Sequence, residues 1–135
     1  LFVLEDTSTF GLHYYNTSTK EDKKITADIG RSLQKVPGKQ AISFIQKSPG
    51  AWLIKQYDVS LKKESTIMPA LPKGEFHAWT KKGLLLMSDG QYIYFARRGN
   101  NKWLKVNIKG DMLLKNITRL ALNEQNTKLA VVVSE

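Results

Sequence analysis

The chain contains no cysteine, which excludes disulfides and thiolate metal sites outright. That absence is neutral about compartment, since exported and cytosolic proteins can both lack the residue. Histidine is nearly absent too: only His13 and His77 occur. A metal centre needs three or four converging ligands, and no His/Asp/Glu cluster stands at ligand spacing, so neither a metal nor a cofactor is expected. There is no Gly-x-Ser-x-Gly elbow and no phosphate-binding glycine loop. No run approaches the ~18 apolar residues of a membrane-spanning helix; the longest apolar stretches, Gly83–Met87 and Leu129–Val133, are strand-sized. An initiating methionine is also missing. The chain opens on Leu1-Phe2-Val3-Leu4, which reads as a processed or truncated end, with any signal peptide outside these residues.

What is present is the composition of a globular protein. The 135 residues suffice for one domain, and 41% hydrophobic with 24% charged residues is normal for a chain that buries a core. The net charge of +9 favours nucleic acid, anionic lipid or an acidic ligand in principle. The basic residues are scattered, however. Lys23-Lys24, Lys62-Lys63, Lys81-Lys82 and Arg97-Arg98 are isolated pairs, whereas a nucleic-acid footprint is normally a clustered patch. A solvated basic surface is the plainer reading, and nucleic acid is not the expected partner.

Period-2 alternation with β-branched and aromatic runs dominates the chain. Strands are expected at Leu1–Glu5, Gly11–Tyr15, Lys23–Asp28, Ala41–Gln46, Ala51–Tyr57, Phe76–Thr80, Leu84–Ser88, Gln91–Arg97, Trp103–Ile108, Ile117–Leu122 and Lys128–Val133. Turn chemistry separates them at Ser48-Pro49-Gly50, Lys81-Lys82-Gly83, Ser88-Asp89-Gly90 and Arg98-Gly99-Asn100-Asn101. Helix signals are few: one or two turns over Ile29–Val36, stopped by Pro37-Gly38, and a single turn over Asp111–Lys115.

Three segments repeat as alternating strand, polar turn and more continuously apolar strand. They begin at Ala41, Phe76 and Ile117, spaced by 35 and 41 residues, close to the ~40–45-residue period of a four-stranded propeller blade. Gln91–Arg97 and Trp103–Ile108 then supply the third and fourth strands of one blade. The expected fold is therefore all-β, with up-and-down four-stranded antiparallel blades, about three blades of a β-propeller. The expected divisions are 1–38 as part of a blade, 39–73 and 74–110 as blades, and 111–135 as the first two strands of a closing blade.

Leu71-Pro72-Lys73-Gly74-Glu75-Phe76-His77-Ala78-Trp79-Thr80, Leu84-Leu85-Leu86-Met87, Asn116-Ile117-Thr118-Arg119-Leu120-Ala121-Leu122 and Lys128-Leu129-Ala130-Val131-Val132-Val133 resemble the repeat of the TolB-like, WD40-like six-bladed β-propellers, in their C-terminal half. Asn123-Glu124-Gln125-Asn126 stands where that repeat has Pro-Asp-Gly. The resemblance covers Ala41 to Glu135 well and the preceding residues loosely. It implies an exported, periplasmic protein, and a ring of which this chain is about half. Half a ring exposes two apolar blade faces, so either an N-terminal half of the same protein or a second copy is expected to close it.

Propeller architecture places a binding rim at the loops leading into each inner strand and after each second strand. The candidates there are Gln40, Glu75, His77, Asp89, Asn116 and Arg119. Trp52, Trp79 and Trp103 lie on strands, where packing between blades is the plainer role and a stacking platform for sugar or peptide the functional one. Asn16-Thr17-Ser18 and Asn116-Ile117-Thr118 match the glycosylation pattern, which short chains match by chance. A Ser–His pair formed in space is beyond what spacing can show. The leading expectation is a non-catalytic module that binds a protein, peptide or glycan partner. The alternatives are the propeller part of a hydrolase or lyase whose catalytic residues lie elsewhere, and a basic nucleic-acid binder with salt-dependent affinity.

Overall fold

The computed structural model describes residues 2–6, 9–109 and 114–135. It is all-β, with no helix among those residues and every strand pair antiparallel. Strands β1 (Phe2–Asp6), β2 (Phe10–Tyr15) and β3 (Asp22–Thr26) form a three-stranded sheet in chain order. Strands β4 (Ile29–Lys35), β5 (Ala41–Gln46), β6 (Leu53–Asp58) and β7 (Lys63–Pro69) form a four-stranded one. A second four-stranded sheet comprises β8 (Ala78–Trp79), β9 (Leu84–Ser88), β10 (Ile93–Arg97) and β11 (Leu104–Lys105), and β12 (Ile117–Leu122) pairs with β13 (Leu129–Val133). All four are up-and-down meanders, consistent with propeller-like blades.

The sheets stack in chain order, and period-2 alternation feeds one core between each adjacent pair. In β5, Phe44 points back to the first sheet, where it packs with Leu12, Ile29 and Tyr57. Its neighbour Ile45 points forward and joins Ile54, Met68, Leu85, Met87 and Ala96. In β9, Leu85 and Met87 face that second core, while Leu86 faces a third with Ala78, Ile93, Ile117 and Leu120. A strand buried on both faces reads as continuously apolar, which is why Leu84-Leu85-Leu86-Met87 carries no polar alternation. Each fully buried Leu, Ile or Phe contributes about 1.5–3 kcal/mol relative to exposure.

Ile29–Lys35 is a strand, in place of the helical turns expected over Ile29–Val36. Its irregular pattern comes from Gly30 and from a break in register between Ile29 and Leu33. Gly30 is required there: a Cβ would lie 2.9 Å from the Glu75 carbonyl oxygen. Because β4 is the first strand of its sheet, Ala41–Gln46 is the second. The segment beginning at Ala41 is therefore one strand out of phase with those beginning at Phe76 and Ile117. Lys63–Pro69 is a further strand, the outer one of its sheet, which the sequence marked poorly. The helical turn expected at Asp111–Lys115 falls largely outside the described residues, and Leu114 and Lys115 have no regular structure.

Candidate functional site: one end of the stacked sheets

In each up-and-down sheet, the start of the first strand and the end of the second lie at the same end. Ile29 is opposite Gln46, and Ile117 is opposite Val133. At that end the lead-in to β8, the β9–β10 turn and the start of β12 enclose a cleft of about 260 Å3. Glu75, Asp89 and Arg119 line it, together with Lys73, Phe76 and Thr118.

The geometry of each charged group is distinct. Glu75 is already satisfied: its carboxylate lies 3.1 Å from Arg31 Nε and is also bonded by Lys47 Nζ. Arg31 in turn lies over the Phe10 ring, 5.4 Å from its centroid, and Lys47 over the Trp52 ring at 5.1 Å. This chain of charge and aromatic contacts ties three sheets together at the rim. Asp89 is committed to its own turn. Its Oδ1 accepts the Gln91 and Tyr92 amides at 2.9 and 2.7 Å, and its Oδ2 accepts the Tyr94 hydroxyl at 3.0 Å. Burial pushes the Asp89 carboxyl up, but the Tyr92, Gln91 and Tyr94 hydrogen bonds outweigh it and hold the group below its ordinary value. Tyr94 is raised, chiefly because its hydroxyl donates to Asp89. Gly90, with φ +96°, closes the turn, and its carbonyl accepts the Ile117 amide at 2.9 Å, joining the last two sheets.

Arg119 differs from both carboxylates. Its guanidinium lies 4.9 Å from the Phe76 centroid, and among the described residues no carboxylate or other hydrogen-bond acceptor meets it. Lys73, across the cleft, likewise has no ion-pair partner there. With Glu75 held by Arg31 and Lys47 and Asp89 committed to its turn, the cleft cations without an ion-pair partner among the described residues are Lys73 and Arg119.

The remaining rim candidates are placed elsewhere. Asn116 adjoins the cleft, exposed and left-handed at φ 51°. Gln40 lies at the opposite end, in the β4–β5 connection, where its carbonyl accepts the Val59 amide. Its separation from the others follows directly from Ala41 opening a second strand, not a first. His77 is interior, 2% exposed. Its Nδ1 is 3.0 Å from Ser32 Oγ and its Nε2 2.7 Å from Ser43 Oγ. Ser43 also accepts the Trp79 indole N–H at 2.8 Å and donates to the Gln34 carbonyl. Burial alone lowers the His77 pKa from 6.5 to about 3, so the ring is neutral at physiological pH. Two Ser–His pairs thus form in space, but Ser32, Ser43 and His77 are all sealed between sheets. Neither hydroxyl can meet a substrate, and the network serves to join β4, β5 and β8.

The tryptophans pack against the second core. Trp79 is held by Ser43, and Trp103 donates to the Pro69 carbonyl at 3.0 Å. Asn16 accepts the Ser18 and Thr19 amides, shaping its own turn. Among the described residues, no three His, Asp or Glu side chains are grouped to hold a metal ion, and no helix is long and apolar enough to cross a membrane.

Arg31 and Lys47 are not among the rim residues expected from the sequence, although a signal for Arg31 exists. Asp28-Ile29-Gly30-Arg31 and Asn116-Ile117-Thr118-Arg119 are the same pattern at the starts of β4 and β12. Aligning these tetrapeptides gives the correct phase of the repeat and brings Arg31 to the rim with Arg119.

No family model matches the chain, and no curated protein matches it.

Proposed function

We propose that this chain is a non-catalytic β-propeller module of an exported protein, and that it binds a protein, peptide or glycan partner at the cleft end. The observation that supports this is the distribution of chemistry. The only histidine-bearing network described around a serine is sealed in the interior, while unpaired donors converge in an open cleft built by three connections. Connections held by a rigid scaffold are where recognition concentrates. The cleft is smaller than the ~300–1,000 Å3 of a typical small-molecule site, which fits a side chain or single sugar of a larger partner. The repeat's resemblance to exported propellers supports the module and its location.

The same reading extends to ring closure. Leu129, Val132 and Val133 are exposed on the two-stranded sheet, whereas the equivalent faces of the inner sheets are covered by a neighbour. Further polypeptide of the same protein, or a second copy, would cover them.

Displayed peptide libraries and a glycan array, probed with the chain and with Thr118→Trp, test the binding proposal. Thr118 lines the cleft, and Trp is compatible with a strand. Ligands enriched by the chain should lose at least tenfold affinity for Thr118→Trp. Enrichment of nothing, or equal binding by a folded Thr118→Trp protein, overturns it.

A further inference from the structure

The starts of β4 and β12 are local copies of one another. Each begins with a left-handed residue, Asp28 at φ 54° and Asn116 at φ 51°. Each of these offers its carbonyl to the amide of the residue just past the second strand: Lys47 to Asp28 at 2.7 Å, and Ser134 to Asn116 at 3.0 Å. A buried isoleucine follows, Ile29 or Ile117. Two residues on comes an arginine, Arg31 or Arg119, and in both strands the ladder breaks register beside it. Each guanidinium lies over an aromatic ring contributed by the preceding sheet, Phe10 for Arg31 and Phe76 for Arg119.

The copies differ in two respects: Thr118 stands where β4 has Gly30, and the two guanidinium groups are paired differently. Arg31 is met by the carboxylate of Glu75, which arrives on the lead-in to the next sheet's first strand. Arg119 is met by no carboxylate among the described residues. A guanidinium held on an aromatic face keeps its N–H edge free and oriented, the arrangement that pairs with a planar carboxylate.

We infer that Arg119 is a docking point for a carboxylate carried by an acidic polypeptide segment, which meets the guanidinium edge as the Glu75 carboxylate meets Arg31. The inference rests on the reading of this end as the binding end, and it names the chemistry of the partner. Lys73 reinforces it as a second unpaired cation across the cleft. The neighbouring Glu75 and Asp89 do not compete, since one is held by Arg31 and Lys47 and the other by its turn. A polypeptide is favoured over a free anion because the carboxylate that meets the equivalent guanidinium, Glu75, is itself carried on a chain segment leading into the neighbouring sheet; with Thr118 standing where β4 has Gly30, the approaching backbone lies farther out at Arg119.

The experiment is a titration of the whole chain, 15N-labelled, with end-blocked hexapeptides carrying one central glutamate in a valine/threonine/glycine background. Their glutamine counterparts, and acetate alone, form the other arms. The Arg119 Nε–H resonance and the amides of Thr118 and Gly74 are followed. The glutamate peptides should shift them saturably, at least about tenfold more tightly than the glutamine peptides or acetate. Arg119→Gln should weaken the glutamate peptides about tenfold, and Arg119→Lys less. Lys82→Gln, which removes an equal charge at the opposite end, should change nothing. Equal binding of glutamate and glutamine peptides overturns the carboxylate inference while leaving the binding end intact. Acetate as tight as the peptides overturns the polypeptide occupant. No shift with any arm overturns the docking point itself, while the library screen with Thr118→Trp still stands or falls separately.

Discussion

His77 Nε2 lies 2.7 Å from Ser43 Oγ, a hydrogen bond that ties the lead-in of one sheet into the second strand of the sheet before it. With Nδ1 at 3.0 Å from Ser32 Oγ, the imidazole spans β4 and β5. It does so without a carboxylate partner among the described residues, and burial alone sets its protonation. The unfolded imidazole protonates near 6.5 and the folded one near 3. Between those values the unfolded chain binds more protons, so stability rises with pH across the window and is lost on acidification.

The pH prediction follows from that linkage. Urea unfolding at pH 7 and pH 5 should show His77 contributing about 2 kcal/mol of acid sensitivity. His77→Gln should be less stable at pH 7, yet lose that part of the slope. A folded variant with the full slope of the parent would contradict the assignment to His77.

Ser43 carries more of the network than its size suggests. Ser43→Ala leaves the Trp79 N–H and the His77 Nε2 buried without their partner, each costing about 1–3 kcal/mol. The urea midpoint should fall accordingly, with the denaturant slope unchanged. A shift within about 0.5 kcal/mol, the usual range for surface changes, would show the hydrogen bonds to be dispensable.

Gly30 marks a close approach between β4 and the lead-in to β8. In Gly30→Ala the new methyl meets the Glu75 carbonyl at 2.9 Å and the Ile45 Cβ at 3.1 Å. Backbone on one side and a β-branched core residue on the other leave little room to yield. Destabilisation of about 1–3 kcal/mol is expected, read as a lowered thermal midpoint. An alanine variant as stable as the parent would argue that the sheets are farther apart.

Lys73 sits in the left-handed region at φ 61°, where a long side chain costs about 1–2 kcal/mol relative to a right-handed conformation. Lys73→Gly relieves that and gives part of it back through unfolded-state freedom, for a net gain of about 0.5–1 kcal/mol. The same change removes a cleft cation, so affinity for glutamate peptides should fall while stability rises. Undiminished affinity for the glutamate peptides in the Lys73→Gly protein would separate Lys73 from recognition.

Much of the fold was legible in the residues. Ala41–Gln46, Leu84–Ser88 and Ile117–Leu122 coincide with β5, β9 and β12, because alternation and flanking turns agree there. Ile29–Lys35 was not legible as a strand, since a glycine, a serine and a break in register interrupt its alternation. That single strand shifted the phase of the repeat and carried Gln40 to the wrong end. His77 was placed near a rim by its position at a strand opening, but burial depends on what the next sheet puts against it.

The sequence alone determined which segments are extended, where the chain turns, and that no thiol chemistry occurs, because these depend on neighbours along the chain. Tertiary structure alone decided which charges remain unpaired. Arg31 and Arg119 carry the same formal charge and stand in similar local patterns, yet one is met by Glu75 from the lead-in to the next sheet while the other, among the described residues, meets only a ring. Ion pairing at a rim is a matter of distances of a few ångströms between segments remote in sequence, and only the stacking of the sheets sets those distances.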